Sequence, residues 1–151
     1  GKDPFGRRHI VTAWTPGELD QMGLPPCHMI FQCYVSSRNE LSLHMVQRSC
    51  DMILGVPFNI SSYALLLCML AQVANKTPRE LIITLNDAHI YIDEGDKHVA
   101  AARLMLEREP MPLPKLCLNP GISRIEDFKM AAIELADYNH HSEIKNVPMA
   151  V

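Results

Sequence analysis

The sequence lacks most of the short motifs that identify cofactor- and metal-binding proteins. Neither of the glycine-rich phosphate motifs, G-x-x-x-x-G-K and G-x-G-x-x-G, occurs, and there is no G-x-S-x-G nucleophile motif. The five cysteines are widely spaced without a C-x-x-C pair, and no Cys or His pair has structural-zinc spacing. We therefore predict that the protein binds no metal.

Long apolar runs and blocks of basic charge are also missing. The most apolar run, Tyr63–Ala71, is shorter than the roughly 20 residues that cross a bilayer. The 14 Lys and Arg against 17 Asp and Glu form no basic cluster, which argues against non-specific nucleic-acid binding. The chain opens without Met or a signal-peptide core, so we expect residues upstream of Gly1. An odd set of unpaired cysteines favours a reducing, cytoplasmic location.

What the chain does have is a globular composition. It holds 151 residues, of which 48% are hydrophobic and 21% charged, enough to bury one core. We predict one domain over residues 1–151. The order of elements, β-β-α-β-α-β, predicts an α+β fold with a mostly non-parallel sheet.

The individual elements follow from periodicity and turn residues. Two strand-forming runs flank the polar residues 36–40 and predict a hairpin. The longest apolar segment predicts a buried central helix that begins at Asn59 or Ser61. Asn86-Asp87 predicts a break between two strands. The predicted elements are strands Met29–Val35 and Leu41–Val46, helix Ile60–Ala74, strands Leu81–Thr84 and Ala88–Ile92, helix Lys97–Glu109, and short strands near Leu116, Ile133 and the carboxy terminus.

Cys27 is the first candidate for chemistry. Two prolines precede it and fix the backbone at the start of a strand, which would hold a thiol in one direction. Arg48, in the segment Gln47-Arg48-Ser49-Cys50-Asp51, could bind a phosphate or lower a thiol pKa. From the residues alone, a buried filler cysteine and a solvated Arg-Asp pair are the more common explanations.

Other polar residues have equally ordinary explanations. Asn59 lies at the start of the predicted helix and could simply cap it. His89 and Tyr91 alternate along a predicted strand, so they would share one face and could bind a sugar hydroxyl, or they could pack in a core. Arg7-Arg8 is a cationic pair that usually marks only a surface.

In order along the chain, however, these segments closely resemble thymidylate synthase. The resemblance rests on Leu24-Pro25-Pro26-Cys27-His28, on Gln47 to Asp51, on Gly55-Val56-Pro57-Phe58-Asn59-Ile60, and on Asp87-Ala88-His89-Ile90-Tyr91. It extends over essentially all 151 residues and covers the carboxy-terminal part of that enzyme. The family's amino-terminal part is not in this sequence, so we expect the isolated chain to be catalytically incomplete.

The resemblance implies a methyltransferase of dTMP biosynthesis. The family converts dUMP to dTMP with 5,10-methylenetetrahydrofolate as carbon donor and reductant. Cys27 would be the nucleophile that adds to C6 of uracil, which activates C5. Asn59 would pair with O4 and N3–H of uracil, and Arg7 and Arg8 would reach the phosphate of the other subunit in a homodimer.

The remaining site residues are also implied only by this resemblance. Asp51 and Ala150 would contact the folate, with Ala150 in a tail that closes over it. The expected dUMP-binding set is Arg7, Arg8, Gln47, Arg48, Ser49, Cys50, Asp51, Asn59, His89, Ile90 and Tyr91. The implied fold is a mixed β-sheet with a buried central helix, whose sheets pack together in the homodimer.

Two alternatives stay open. Departures from the family pattern, such as Asn86 where Gly is usual before Asp87, leave room for a dUMP hydroxymethyltransferase, in which water intercepts the one-carbon intermediate. The second alternative is a catalytically incompetent chain that still dimerises through its sheet.

Overall fold

A computed structural model describes residues 3–92 and 95–149. Contacts divide the chain into two compact units, residues 1–89 and 90–151. The prediction of one domain over the whole chain stays a prediction.

The first unit is a four-stranded mixed sheet with one helix packed against it. Its strands lie in the order β1-β2-β3-β4, with β1–β2 and β2–β3 antiparallel and β3–β4 parallel. Its elements are β1 (Ile10–Thr12), a short 3-10 helix (Pro16–Gln21), β2 (His28–Val35), β3 (Glu40–Asp51), α1 (Val56–Val73) and β4 (Thr77–His89).

The core of this unit lies between α1 and one face of β2, β3 and β4. Alternation along β3 sends Leu41, Leu43 and Met45 to this face, where each is at most 5% exposed. They pack with Leu67 and Ala71 of α1. The hairpin and the alternation of its second strand are therefore confirmed.

The helix α1 begins earlier than the sequence predicted. It starts at Val56 after Gly55, with a proline in its first turn, so Asn59 and Ser61 lie inside the helix and do not cap it. Only Val56, Leu67 and Ala71 are fully buried, because the sheet covers one side of the helix. By length and composition alone α1 could cross a membrane, a test that the core helices of soluble proteins also pass.

The predicted break at Asn86-Asp87 was wrong. β4 is continuous from Thr77 to His89, and its last residues pair with the end of β3, Ser49 with Asp87 and Asp51 with His89. Ladder pairing with β3 overrides the turn preference of the Asn-Asp pair. The strand also ends before Ile90, so His89 and Tyr91 do not share a strand.

The second unit is smaller and less regular. It contains α2 (Lys97–Glu107), which ends two residues before the predicted boundary, and a two-stranded antiparallel sheet of β5 (Lys115–Leu118) and β6 (Ile133–Ala136). Two 3-10 turns, Ile125–Asp127 and Met130–Ala132, lie between these strands. In the described residues up to Met149 there is no strand at the carboxy-terminal end, contrary to the prediction.

Candidate active site

Gln47 is the centre of a buried polar network at the end of β3. It continues the series of core-facing residues on that strand and is 2% exposed. Its amide nitrogen donates to the Ser49 carbonyl and to Asn59 Oδ1, each at 2.9 Å. Because both partners accept, the nitrogen of the Gln47 amide must point toward them. This donor in turn orients the Asn59 amide with its Oδ1 toward Gln47. Gln47 Oε1 is buried and has no hydrogen-bond partner among residues 3–92 and 95–149.

Asn59 projects from the first turns of α1 toward β2. Its backbone N–H donates to the Gly55 carbonyl at 3.0 Å, and its side-chain nitrogen lies 3.3 Å from His28 Nε2. An amide nitrogen can only donate, so His28 Nε2 accepts and Nδ1 carries the proton of the neutral ring. The amide of Asn59 thus presents its donor and its acceptor in known directions.

Sequence reasoning missed the part that His28 plays in this network. The residue is the first of β2, lies opposite Gln47 in the sheet register, and packs edge-on against the Tyr63 ring with centroids 5.5 Å apart. Burial raises the pKa of the Tyr63 hydroxyl. The position of His28 directly after Cys27 was the signal available, but the cross-strand partner is visible only in the fold.

Cys27 lies where a loop enters β2, and Arg48 holds that loop. The Cys27 carbonyl accepts from the Arg48 backbone N–H at 2.8 Å. The Arg48 guanidinium donates to the carbonyls of Pro25 at 2.9 Å and Pro26 at 3.1 Å, and it lies over the Trp14 ring at 5.5 Å. Cys27 is half-buried. A guanidinium has more N–H donors than these contacts use, so the same side chain can also bind an anion.

Cys50, three residues after Gln47, behaves as a buried thiol. It is 0% exposed, and its Sγ donates to the Gln47 carbonyl at 3.7 Å. Burial raises the pKa of Cys50, and this outweighs a backbone hydrogen bond from Asn86 that lowers it; the charges of Cys27 and Asp87 raise it further.

Asp51 shapes the turn between β3 and α1. Its Oδ1 accepts from the backbone N–H groups of Ile53 at 2.9 Å and Leu54 at 3.2 Å. A Cβ added at Gly55 would lie 3.0 Å from the Asp51 carbonyl and 3.7 Å from Asn59 Oδ1. Glycine at this position therefore avoids a tight contact with the Asp51 carbonyl at the start of α1.

The remaining predicted site residues have different positions: Ser49 belongs to the network, several residues lie apart from it, and one lies outside the residues that the structure describes. Ser49 contributes its carbonyl, and His89 pairs with Asp51 across β3 and β4, with its Nδ1 3.1 Å from the Asp87 carbonyl. Arg7 and Arg8 are exposed and precede β1. Ile90 and Tyr91 belong to the second unit, and Ala150 lies outside the described residues.

No cluster of three or more His, Cys, Asp or Glu suited to a metal ion occurs within residues 3–92 and 95–149.

The family model described as thymidylate synthase matches residues 1–151. The chain belongs to the thymidylate synthase family. The Asn59 amide, the His28 ring and the Cys27 thiol therefore belong to a chain of this family, since the match extends over all 151 of its residues.

Curated relatives carry the same name. A protein named thymidylate synthase from Malacoplasma penetrans is 50% identical over 144 residues, and one from Saccharomyces cerevisiae is 46% identical over 151. Each alignment covers 95% of this chain and 48% of the relative. The chain therefore spans about half the length of the curated relatives that it matches.

Proposed function

We propose that the protein containing this chain is a thymidylate synthase that methylates dUMP to dTMP. The observation that carries the proposal is the fixed amide of Asn59, held by Gln47 and facing His28, at the end of the sheet where β2 follows Cys27. Family membership and the names of the relatives support the same reaction.

The base would be read by Asn59. Because Gln47 occupies one lone pair of Oδ1 and His28 faces one hydrogen of Nδ2, an acceptor and a donor remain on the same amide. Uracil presents N3–H and O4 side by side, whereas cytosine presents an acceptor and an amino group. A base bound with ring position 3 toward Oδ1 and position 4 toward Nδ2 would therefore be uracil, because cytosine would set its acceptor against Oδ1 and its amino group against Nδ2. The rest of the nucleotide site would be formed by Gln47 Oε1, Ser49 and Cys50, which would contact the base and the phosphate of dUMP.

The chemistry would begin with the Cys27 thiolate. It adds to C6 of uracil, a C–S bond forms, and the electron pair of the C5–C6 double bond moves toward O4 as an enolate. His28, whose Nε2 lies 3.3 Å from Asn59 Nδ2, would act on protons near O4. C5 would then bond to the one-carbon unit and lose its proton, and the C–N bond that joins this unit to the folate would break. Hydride from the folate would reduce the unit to a methyl group as the thiolate leaves C6, which gives dTMP and dihydrofolate.

When bound, 5,10-methylenetetrahydrofolate supplies the carbon and the hydride that converts it to a methyl group. A carboxylate accepts well from the N–H groups of a pterin, and the Asp51 carboxylate is fixed by the Ile53 and Leu54 amides. Asp51 would therefore bind the folate, and the segment leading to Ala150 would exclude water from it.

The phosphate would be bound by Arg48 and Ser49, with Arg7 and Arg8 from the other subunit of a homodimer, and His89, Ile90 and Tyr91 would bind the sugar. The side of the sheet away from α1 would form the dimer interface. Tyr34 and Ile82 are 63% and 47% exposed there. They line a cavity of about 490 Å³ with polar and charged residues, Gln32, Ser42, His44, Arg79 and Glu80. Such a mixed surface would pack through polar contacts as well as apolar ones.

The decisive experiment is covalent trapping in the protein as encoded, with whatever residues flank this sequence. We expect 5-fluoro-dUMP with methylenetetrahydrofolate to give a mass-detectable adduct at Cys27, and none in Cys27→Ser. Cys68→Ser is the matched control, because that half-buried thiol lies on α1 and should leave the adduct unchanged. A folded protein that forms no adduct would contradict the proposal.

Product analysis and sizing separate the two alternatives. Release of 5-hydroxymethyl-dUMP with tetrahydrofolate, in place of dTMP with dihydrofolate, would identify a hydroxymethyltransferase. A species that is dimeric by light scattering but does not bind dUMP would identify an incompetent dimerising chain. The cytoplasmic location is part of the same proposal and is tested by fractionation.

A further inference from the structure

The second unit contains a completely buried histidine that the reaction above does not use. His98, the second residue of α2, is 0% exposed, although histidine is seldom fully buried in proteins. Its Nε2 lies 2.8 Å from the Pro148 carbonyl, 50 residues later in the chain. A carbonyl only accepts, so Nε2 donates. Nδ1 is buried and has no hydrogen-bond partner in the described part of the chain.

The same ring packs against Tyr91. The two rings meet edge to face, with centroids 5.5 Å apart and an interplanar angle of 66°. His98 therefore contacts two separate segments of its own unit. One is Tyr91, in the proposed sugar-binding segment, and the other is Pro148, two residues before Ala150.

We propose that His98 is a positioning residue that holds the carboxy-terminal segment through Pro148 and supports Tyr91 through its ring. This inference rests on the proposed function, in which Tyr91 contacts the nucleotide and the segment after Pro148 covers the folate. His98 contacts neither substrate. Its hydrogen bond affects folate binding, and its ring contact affects nucleotide binding.

Two substitutions separate these contacts. His98→Phe keeps an aromatic ring beside Tyr91 but removes the donor to Pro148. His98→Gln keeps an N–H donor at a similar reach but removes the ring. His140→Phe is the matched control, because that histidine is exposed. In the described residues its Nδ1 lies 2.8 Å from the His141 carbonyl and its ring lies 5.3 Å from the Tyr138 ring, so it contacts only its own neighbourhood in sequence.

Steady-state kinetics should show that each variant raises the KM of a different substrate. In His98→Phe the KM for methylenetetrahydrofolate should rise by about fivefold to tenfold, as expected for one lost hydrogen bond, while that for dUMP stays within about twofold. In His98→Gln the KM for dUMP should rise by about threefold to tenfold, as expected for a lost aromatic pair. A purely structural role would lower kcat in both variants without separating the two KM values, and would overturn the proposal.

Hydrogen exchange supplies a readout that does not depend on turnover. Backbone amides of residues 143–149 should exchange about fivefold faster in His98→Phe than in wild type, and close to the wild-type rate in His98→Gln. Equal exchange in all three proteins would overturn the proposal even where the Cys27 adduct forms. Failure of the adduct together with faster exchange in His98→Phe would instead contradict the proposed function and leave the contact with Pro148 established.

Discussion

The two ends of β3 are both polar, but they are built differently. At its first residue, Glu40 Oε2 accepts from Ser36 Oγ at 2.9 Å, Arg38 at 3.2 Å and Arg79 at 3.3 Å, near solvent. At the other end, Gln47 is buried and neutral, and one of its oxygen atoms has no hydrogen-bond partner in the described residues.

This difference separates an end of β3 with a structural role, the structural end, from the end where we propose the substrate site, the functional end. At the Glu40 end the carboxylate bonds to Ser36 and Arg38 of the turn and to Arg79 of β4, so it ties the β2–β3 turn to β4. At the Gln47 end an unsatisfied buried oxygen costs about 1–3 kcal/mol, which a fold retains where a ligand or an ordered water can bind. The proposed uracil site lies at that end.

The largest expected effect is on stability, when a core side chain in the middle of β3 is truncated. Leu43 is 0% exposed and packs between them. Leu43→Ala should lower the free energy of unfolding by about 2–5 kcal/mol, because a cavity replaces the buried side chain. Chemical denaturation measures it, with the 92% exposed Leu113→Ala as control. Equal changes in the two variants would show that β3 does not pack as described.

An intermediate effect is expected at the functional end. Gln47→Leu removes the donor to Asn59 Oδ1 and to the Ser49 carbonyl, so Asn59 loses its fixed orientation. Affinity for dUMP, measured by titration calorimetry, should fall by about tenfold to a hundredfold, corresponding to one buried unsatisfied group. The exposed Gln21→Leu serves as control. Unchanged affinity would remove Gln47 from the site.

The smallest effect is expected at the structural end, and it depends on pH. The Ser36 hydroxyl, with Arg38 and Arg79, holds the pKa of Glu40 below its usual value of 4.5. The stabilisation is therefore complete above pH 4.5 and is lost as the pH falls through the lowered pKa.

Glu40→Gln should thus be less stable than wild type at pH 7 and should match it at the lowest pH at which both fold. Thermal unfolding across this range measures the difference, and dUMP affinity should not change. A difference in stability that persists unchanged in acid would show that charge on Glu40 is not its cause.

Much of the fold could be predicted from the sequence, because the turn residues and the alternation of apolar residues indicate the same strands. The alternation of Leu41, Leu43 and Met45 and the polar turn before them predict the hairpin correctly. The break at Asn86 was wrong because a turn-forming pair can be held in a strand by its neighbour, and periodicity contains no information on pairing with β3.

The candidate site was predicted less completely. The order of the motifs pointed to Cys27, Gln47 and Asn59, whereas His28 and His98 were not singled out. Both are defined by partners distant in sequence, His28 by Asn59 on the helix and His98 by Pro148. A single histidine has no local signature for either role.

By itself the sequence determined the family, the apolar face of β3 and the residues that can do chemistry, since these depend on residue type and spacing. Only the tertiary structure decided which of those residues meet. The parallel pairing of β3 with β4 brings α1 over the sheet, and this places Asn59 against Gln47 and His28. The physical reason is that hydrogen bonds between distant segments depend on how the strands and helices pack, which no local pattern specifies.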